Sequence, residues 1–146
     1  MELKYEAYLS NIENCPPEDY QSVERIAFRW VHKQCDEQDF IPLNLTKEPP
    51  PRILDNSDLH CMGYGLSFFD THQNAIGRYL NITKKLREHL KNDFVNEKGD
   101  CVAELPLDVS DGIVGLPSEQ KYGHFTFHES AGATLVSKVV AIRPVF

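Results

Sequence analysis

Apolar residues recur at helical spacing through the middle of the chain, beyond residue 71. Residues three or four apart lie on one face of a helix, so a stripe of this kind faces the core. Asp70 or Thr71 can cap the start of this helix, and the polar stretch 97–100 follows it. The pattern predicts one long helix near residues 72–94, with an apolar stripe made of Ala75, Ile76, Tyr79, Leu80, Leu86, Leu90 and Phe94.

Aromatic and β-branched segments predict strands on both sides of that helix. Residues 26–32 (IAFRWVH) favour a strand over the end of a helix. Residues 65–69 (GLSFF) predict a short buried strand. Residues 101–107 (CVAELPL) predict another strand, in which Pro106 marks an edge or an end.

Two late segments alternate like the strands of an antiparallel pair. Residues 124–129 (HFTFHE) and 134–146 (TLVSKVVAIRPVF) are joined through 130–133 (SAGA). Successive side chains of a strand point to opposite faces, so Phe125 and Phe127 share one face. If the strand continues to residue 129, Glu129 lies on that face as well. The order of elements predicts an α+β fold with a mostly antiparallel sheet covered by helices.

Proline-rich segments define the rest of the predicted organisation. Residues 15–26 (CPPEDYQSVERI) predict a shorter N-terminal helix, because proline favours the first helical position and acidic residues suit the first turn. Residues 33–60 contain Pro49–Pro51, which cannot lie inside a helix or a central strand. We expect a long proline-rich loop there, of the kind that forms lids or binding loops, within one domain over 1–146.

Length, composition and charge indicate one soluble globular domain of 146 residues, with 41% hydrophobic residues. The net charge of −7 makes nucleic acid an unlikely main partner, because non-specific binding needs Lys and Arg to neutralise phosphates. The basic segment 84–91 has the mixed signs of a solvated helix face. There is no apolar run of membrane-spanning length and no signal-peptide core at the N-terminus, so we expect a cytoplasmic protein without membrane contact.

The cysteines are far apart in sequence and form no CxxC motif. In a reducing compartment we expect all of them to be free thiols. His32 and Cys35 offer zinc-type ligands together with His60 and Cys61, but the adjacent second pair would point in opposite directions in extended chain. We therefore interpret these histidines as ordinary side chains and these cysteines as buried thiols. The four cysteines of the chain are Cys15, Cys35, Cys61 and Cys101.

His124 and His128 also do not predict a metal site. Four residues along a strand span about 13 Å at about 3.3 Å per residue. Two histidines that far apart cannot share one ion, because zinc–nitrogen bonds are about 2.0 Å long. We therefore predict no metal.

Three polar residues carry the strongest functional signal. Arg29 lies on a predicted early strand, Ser67 on a short strand that runs into a helix, and Glu129 at the end of a late strand. This layout resembles that of small ADP-ribosyltransferase-like domains. The resemblance implies that Arg29, or His32, binds nicotinamide adenine dinucleotide together with Tyr64. It further implies that Ser67 supports the nicotinamide side and that Glu129 is catalytic.

The chemistry of these residue types suits such a substrate. A guanidinium matches a pyrophosphate, and a fixed carboxylate stabilises a cationic ribosyl transition state. The resemblance implies the dinucleotide as a substrate and no tightly bound cofactor. It covers roughly residues 28–143. The chain has no Ser-Thr-Ser run and carries Phe127 two residues before Glu129, so the acceptor stays open.

A non-enzymatic protein-interaction module, such as an accessory or inhibitor subunit, is the alternative hypothesis. The chain is small and acidic, with aromatic residues and a proline-rich segment that suit contact with another protein. Its negative charge would speed the encounter with a basic partner. The two hypotheses differ in whether Arg29, Ser67 and Glu129 line one pocket.

Overall fold

A six-stranded antiparallel sheet forms the centre of the protein, in a computed structural model that describes residues 1–146. The strands are β1 (Arg25–Val31), β2 (Leu66–Phe69), β3 (Cys101–Leu107), β4 (Gly112–Val114), β5 (His124–Glu129) and β6 (Ala141–Pro144). Their order across the sheet is β4-β5-β2-β1-β3-β6. The α+β class and the antiparallel sheet are confirmed, and so are the strands predicted at 26–32, 65–69 and 101–107.

Six helices and three 3-10 turns connect and cover the strands. The helices are α1 (Glu6–Leu9), α2 (Leu43–Thr46), α3 (Pro51–Leu54), α4 (Ser57–Met62), α5 (His72–Thr83) and α6 (Glu88–Lys98). The 3-10 turns are Glu37–Phe40, Glu119–Lys121 and Leu135–Lys138. None of the helices has the length and apolar character needed to cross a membrane.

The two faces of the sheet are buried by different parts of the chain. The main core packs Phe68 of β2 against Phe125 and Phe127 of β5, and is closed by Phe40 and Leu135 from two of the 3-10 turns. On the opposite face, α5 and α6 pack onto the sheet through an aromatic cluster of Trp30, Phe69, Tyr79 and Phe94. Burial of these rings is the main source of stability, because apolar area removed from water is the dominant favourable contribution to folding.

The sheet divides between β1 and β2. β1 pairs with β3 along its whole length, from Arg25↔Leu107 to Val31↔Cys101. β1 and β2 are joined in register only at Phe28↔Phe69. The sheet therefore consists of two three-stranded halves, β4-β5-β2 and β1-β3-β6, that separate on one side of this pair.

The prediction of one continuous helix near 72–94 is wrong, because the chain turns between α5 and α6. Tyr79 and Phe94 are fifteen residues apart, which a straight helix would stretch to about 22 Å. Their ring centroids are instead 5.1 Å apart, and both rings contact Trp30. Apolar residues recur at helical spacing in both α5 and α6 because both helices pack on the same aromatic cluster. The sequence pattern therefore did not reveal the turn between them.

The N-terminal helix predicted within 15–26 is also wrong. Residues 15–24 contain no helix, and the short N-terminal helix is α1. Gln21 exchanges two backbone hydrogen bonds with Val114 of β4, at 3.0 and 2.9 Å, so this segment is held extended along the edge of the sheet. Tertiary pairing overrides the local proline and acidic signals here.

The predicted loop at 33–60 is more regular than expected. Pro51 occupies the first helical position of α3, where a missing backbone N–H costs little. Asn56 caps α4 by accepting a hydrogen bond from the Leu59 backbone N–H at 3.1 Å. The prolines therefore begin a short helix in place of the expected polyproline segment.

The predicted pairing of the last two segments is wrong as well. β6 pairs with β3, from Cys101↔Pro144 to Glu104↔Ala141, and not with β5. Leu135 is buried in the main core and fixes the connection as a 3-10 turn instead of a hairpin. Alternation correctly indicated a strand at β6 but carried no information about its partner.

Candidate functional site

The separation of β1 from β2 forms a cleft of about 380 Å³, within the size range of small-molecule sites. Gly65 lets the turn after α4 pass close to β5, since a Cβ there would lie 2.5 Å from Cγ2 of Thr126. Both halves of the sheet contribute polar side chains to the cleft. Its lining includes Arg29, Trp30, His32, Asp39, Gly65, Ser67, Phe69, Lys98, His124 and Thr126.

The guanidinium of Arg29 joins the two walls of the cleft. Its Nε donates a hydrogen bond to the backbone oxygen of Asp39 and its Nη1 to that of Ser67, both at 2.8 Å. The group lies 5.8 Å from the ring centroids of Phe40 and Phe68. Burial lowers the pKa of Arg29 to about 10, so the side chain stays protonated at neutral pH.

Ser67 and His124 form a hydrogen-bonded pair inside the cleft. Ser67 is exposed, although the other three residues of β2 are buried. Its Oγ lies 2.9 Å from Nε2 of His124 on the neighbouring strand. Burial lowers the pKa of His124 to about 4, helped by the positive charges of Lys121, Arg78 and Arg29. The ring is therefore neutral at pH 7.

His32 and Asp39 form a second polar pair, on the β1 wall. Nδ1 of His32 lies 2.6 Å from Oδ1 of Asp39, and Nε2 lies 2.8 Å from the backbone oxygen of Asn96. Both partners only accept hydrogen bonds, so they favour hydrogen on both ring nitrogens. The hydrogen bond to Asn96, followed by that to Asp39, raises the pKa of His32 accordingly.

Glu129 does not join this cleft. Arg29, Ser67 and Glu129 therefore do not line one pocket, so the arrangement expected of the enzyme hypothesis is not met in full. Glu129 follows Phe125 and Phe127 on the opposite face of β5, is 3% exposed, and has Lys4 Nζ 3.4 Å from Oε2. Its Oε1 is buried without a hydrogen-bond partner. Burial raises the pKa of this carboxyl group.

Tyr64 stands beside the cleft without lining it. Its ring stacks on that of Tyr8, with centroids 5.0 Å apart and an interplanar angle of 20°. The neighbouring Gly63 and Gly65 form the wall instead. Of the five residues nominated from sequence, the structure brings Arg29, His32 and Ser67 to one cleft and leaves the other two outside.

Sequence reasoning missed two cleft residues, His124 and Asp39. His124 was assigned only to a strand face, because its contact with Ser67 depends on the register between strands 57 residues apart. Asp39 lies in the acidic stretch 36–39, within the segment that was predicted only as a long loop. It is buried because it pairs with His32.

A second polar cluster lies outside the cleft, where Cys15 and Cys61 form a disulfide. This corrects the prediction of four free thiols, which holds only for Cys35 and Cys101. Long sequence separation hid the pairing, because the chain returns to Cys61 after 46 residues. His128 lies against the bridge, with Nε2 3.9 Å from Sγ of Cys61.

Comparison with known proteins gives no functional assignment. No protein-family model matches the chain, and no curated protein sequence or solved structure matches it. The geometry of the cleft is therefore the basis for a functional proposal.

Proposed function

We propose that the cleft binds a nicotinamide dinucleotide or a related nucleotide, and that the protein is an ADP-ribosyltransferase-like domain. The observation that carries the proposal is the position of Arg29 and Ser67. They are hydrogen-bonded to each other at 2.8 Å, where the two halves of the sheet separate.

Arg29 supplies the phosphate-binding group in this proposal. Nε and Nη1 are held by backbone oxygens, while Nη2 makes no hydrogen bond within the protein. A guanidinium fixed on one edge can present its remaining N–H groups to a phosphate with little loss of side-chain entropy. Lys98 lines the same cleft and adds a second positive charge.

The partly exposed ring of Trp30 is the aromatic surface that we propose for a base or nicotinamide ring. Trp30 and Phe69 line the cleft, with ring centroids 5.2 Å apart. Flat aromatic surfaces stack with heterocyclic rings at about 1–3 kcal/mol each. Ser67 lies beside them on β2, with its hydroxyl directed at His124.

The charges of the cleft suit a reaction at the ribose carbon. Transfer or hydrolysis breaks the bond between C1′ and nicotinamide, and nicotinamide leaves as a neutral molecule with the bonding electrons. The ribosyl group becomes cationic, so a neutral His124 is tolerated where an imidazolium would oppose the reaction. We assign the stabilising role first expected of Glu129 to Asp39, a residue of the cleft wall whose buried carboxylate is hydrogen-bonded to His32.

The acceptor completes the proposed reaction. Water or an acceptor hydroxyl forms the new bond to C1′ and releases a proton. Nε2 of His124 can take that proton through the hydroxyl of Ser67, because the two atoms are 2.9 Å apart. The low pKa of His124 makes it a weak base, so we expect a modest turnover.

Trp30 provides a direct binding assay, because it is the only tryptophan of the chain and lines the cleft. We expect the dinucleotide and ADP-ribose to change its fluorescence in a saturable way. Ser67→Ala removes one neutral hydrogen bond and should weaken binding by about three- to tenfold. Arg29→Gln should weaken it more, by at least about tenfold, since it removes a charged contact.

Matched controls separate binding from general effects. Arg143→Gln alters an exposed arginine of β6 that pairs with Glu104, and Ser137→Ala alters an exposed serine. Both should retain wild-type affinity. Absence of saturable quenching by either nucleotide at millimolar concentration would overturn the proposal.

Nicotinamide release tests the chemistry separately from binding. We expect slow release by wild type, loss of release in Asp39→Asn, and retention in Glu129→Gln. Loss of release in Glu129→Gln, in a variant that still binds the nucleotide, would return the catalytic role to Glu129.

An interaction module is the second candidate, and it is favoured by an exposed apolar rim next to the cleft. Four leucines of α2–α4 are more than a third exposed: Leu43, Leu45, Leu54 and Leu59. Such a patch marks contact sites on many proteins. If no nucleotide binds, affinity capture with wild type and Leu54→Asp tests this candidate. Recovery of the same proteins by both would contradict it.

A further inference from the structure

Cys15, Cys61 and His128 form a compact cluster from three separate parts of the chain. One sulfur comes from the extended N-terminal segment, the other from α4, and the imidazole from β5. One ligand-type atom of each residue lies within 4.8 Å of those of the other two. Two cysteine sulfurs and one imidazole nitrogen are a ligand set that zinc accepts in proteins.

The side chain of His128 is buried with few polar contacts. The side chain is only 2% exposed, and Nδ1 is buried without any hydrogen-bond partner. Nε2 lies 3.9 Å from Sγ of Cys61, a weak interaction, and the ring centroids of Tyr20 and His128 are 5.8 Å apart. A buried imidazole without a strong partner at either nitrogen calls for an explanation. Metal coordination at Nε2 would give that nitrogen a strong partner in place of the weak contact with Cys61.

One separation within the cluster, between Cys61 Sγ and His128 Nε2, is close to that of a zinc site. Tetrahedral zinc with bonds of about 2.3 Å to sulfur and about 2.0 Å to nitrogen separates sulfur and nitrogen ligands by about 3.6 Å. The observed separation between Cys61 Sγ and His128 Nε2 is 3.9 Å. The two sulfurs would have to move apart to about 3.8 Å, which requires the disulfide to be reduced.

We propose that, once the disulfide is reduced, Cys15, Cys61 and His128 bind one zinc ion. A dithiol reductant gives two electrons and two protons to the disulfide and is itself oxidised to a disulfide. Zinc then replaces the two thiol protons, which are released to solvent. Three protein ligands leave the fourth position to water, as in zinc sites of the two-cysteine, one-histidine type.

Zinc would replace the disulfide as the cross-link between Cys15 and Cys61. Cys61 belongs to α4, and the chain continues from α4 through Gly63 to the cleft wall. Disulfide and zinc would each tie this helix to the N-terminal segment, one in oxidising and one in reducing conditions. This proposal does not rest on nucleotide binding in the cleft.

Cobalt and zinc titrations of the full chain test the proposal. The protein is reduced with dithiothreitol, desalted without oxygen and titrated with cobalt. We expect thiolate-to-cobalt absorption that saturates at one equivalent and is displaced by zinc, whereas the oxidised protein binds none. His128→Asn should weaken cobalt binding by at least about tenfold. Cys35→Ser, which alters a free cysteine, should leave it unchanged.

X-ray absorption at the zinc edge of the reduced wild type identifies the zinc ligands directly. It needs no variant, so a substitution that prevents folding cannot affect the result. Two sulfurs and one nitrogen from protein, with an added oxygen, support the proposal. A different ligand set would overturn it, as would failure to retain zinc after dialysis or loss of cobalt binding in Cys35→Ser.

Discussion

Arg29 Nη1 donates a hydrogen bond to the backbone oxygen of Ser67 at 2.8 Å, across the line where β1 and β2 separate. The same guanidinium holds the backbone of Asp39 through Nε at 2.8 Å. One side chain thus sets the width of the cleft and presents a fixed positive charge in it. The proposed nucleotide site depends on this arrangement more than on any other contact.

Arg29→Met tests the structural part of this role. The methionine keeps much of the apolar stem but leaves two backbone oxygens without their charged donor. Hydrogen bonds to charged groups contribute about 1.5–3 kcal/mol each, so loss of the two should lower the free energy of unfolding by about 3–6 kcal/mol. Urea denaturation measures this change.

The control for that variant is Arg143→Met, which removes an exposed ion pair with Glu104. Exposed pairs contribute about 0–1 kcal/mol, so its effect should be small. Equal effects of the two substitutions would show that Arg29 has no special role in joining the walls.

His124 predicts a dependence of stability on pH. Its pKa is about 4 in the folded protein and 6.5 ordinarily. Below pH 6.5 the unfolded chain therefore takes up a proton that the folded protein does not. Stability from this group is present above pH 6.5 and is lost as the pH falls toward 4. His124→Asn should flatten the decline of the free energy of unfolding between these pH values.

The matched variant for this measurement is His89→Asn, at an exposed position of α6. It should keep the wild-type slope in urea titrations at each pH. A His124→Asn curve parallel to that of wild type would contradict the burial of a neutral His124 in the cleft.

Tyr79 ties α5 to the turn before β3. Its hydroxyl, in a fully buried side chain, donates to the backbone oxygen of Gly99 at 2.6 Å. Tyr79→Phe should lower the free energy of unfolding by about 1–2 kcal/mol, because it leaves this oxygen without its partner. Tyr8→Phe changes an exposed tyrosine and should have almost no effect. Urea denaturation of both variants compares them, and equal stability would refute this prediction.

The Cys15–Cys61 bridge closes a long loop and should stabilise the protein by restricting the unfolded chain. A separation of 46 residues corresponds to about 4 kcal/mol in the chain-entropy treatment. Dithiothreitol, with a chelator present to remove metal, should therefore lower the thermal midpoint of wild type. It should have no such effect on Cys15→Ser. An unchanged midpoint in wild type would contradict a native bridge.

Several strands were predictable because their signals are local. β1 and β3 are rich in β-branched, aromatic and small apolar residues, and their predicted bounds lie within one residue of those observed. In β2, the burial of Leu66, Phe68 and Phe69 left Ser67 as the exposed polar residue. Ser67 itself was nominated through the resemblance, on the strand that the local pattern predicted.

The rest of the site depended on information that is not local. The contact of Ser67 with His124 follows from the register of β2 and β5, and the burial of Asp39 follows from its pairing with His32. Glu129 was already on the phenylalanine face by alternation, but only the packed sheet shows that this face is the main core. Of the residues named through the resemblance, Arg29, His32 and Ser67 line the cleft, whereas Glu129 and Tyr64 do not.

The most direct test of the proposed nucleotide site is a heteronuclear NMR titration of the isotope-labelled chain with ADP-ribose. We predict saturable shifts of the Trp30 indole N–H and of the backbone amides of Gly65, Ser67 and His124. Ser130 and Gly132, at the far end of β5 and beyond it, should not move. Absence of shifts at millimolar ADP-ribose, or shifts confined to residues outside the cleft, would contradict the account.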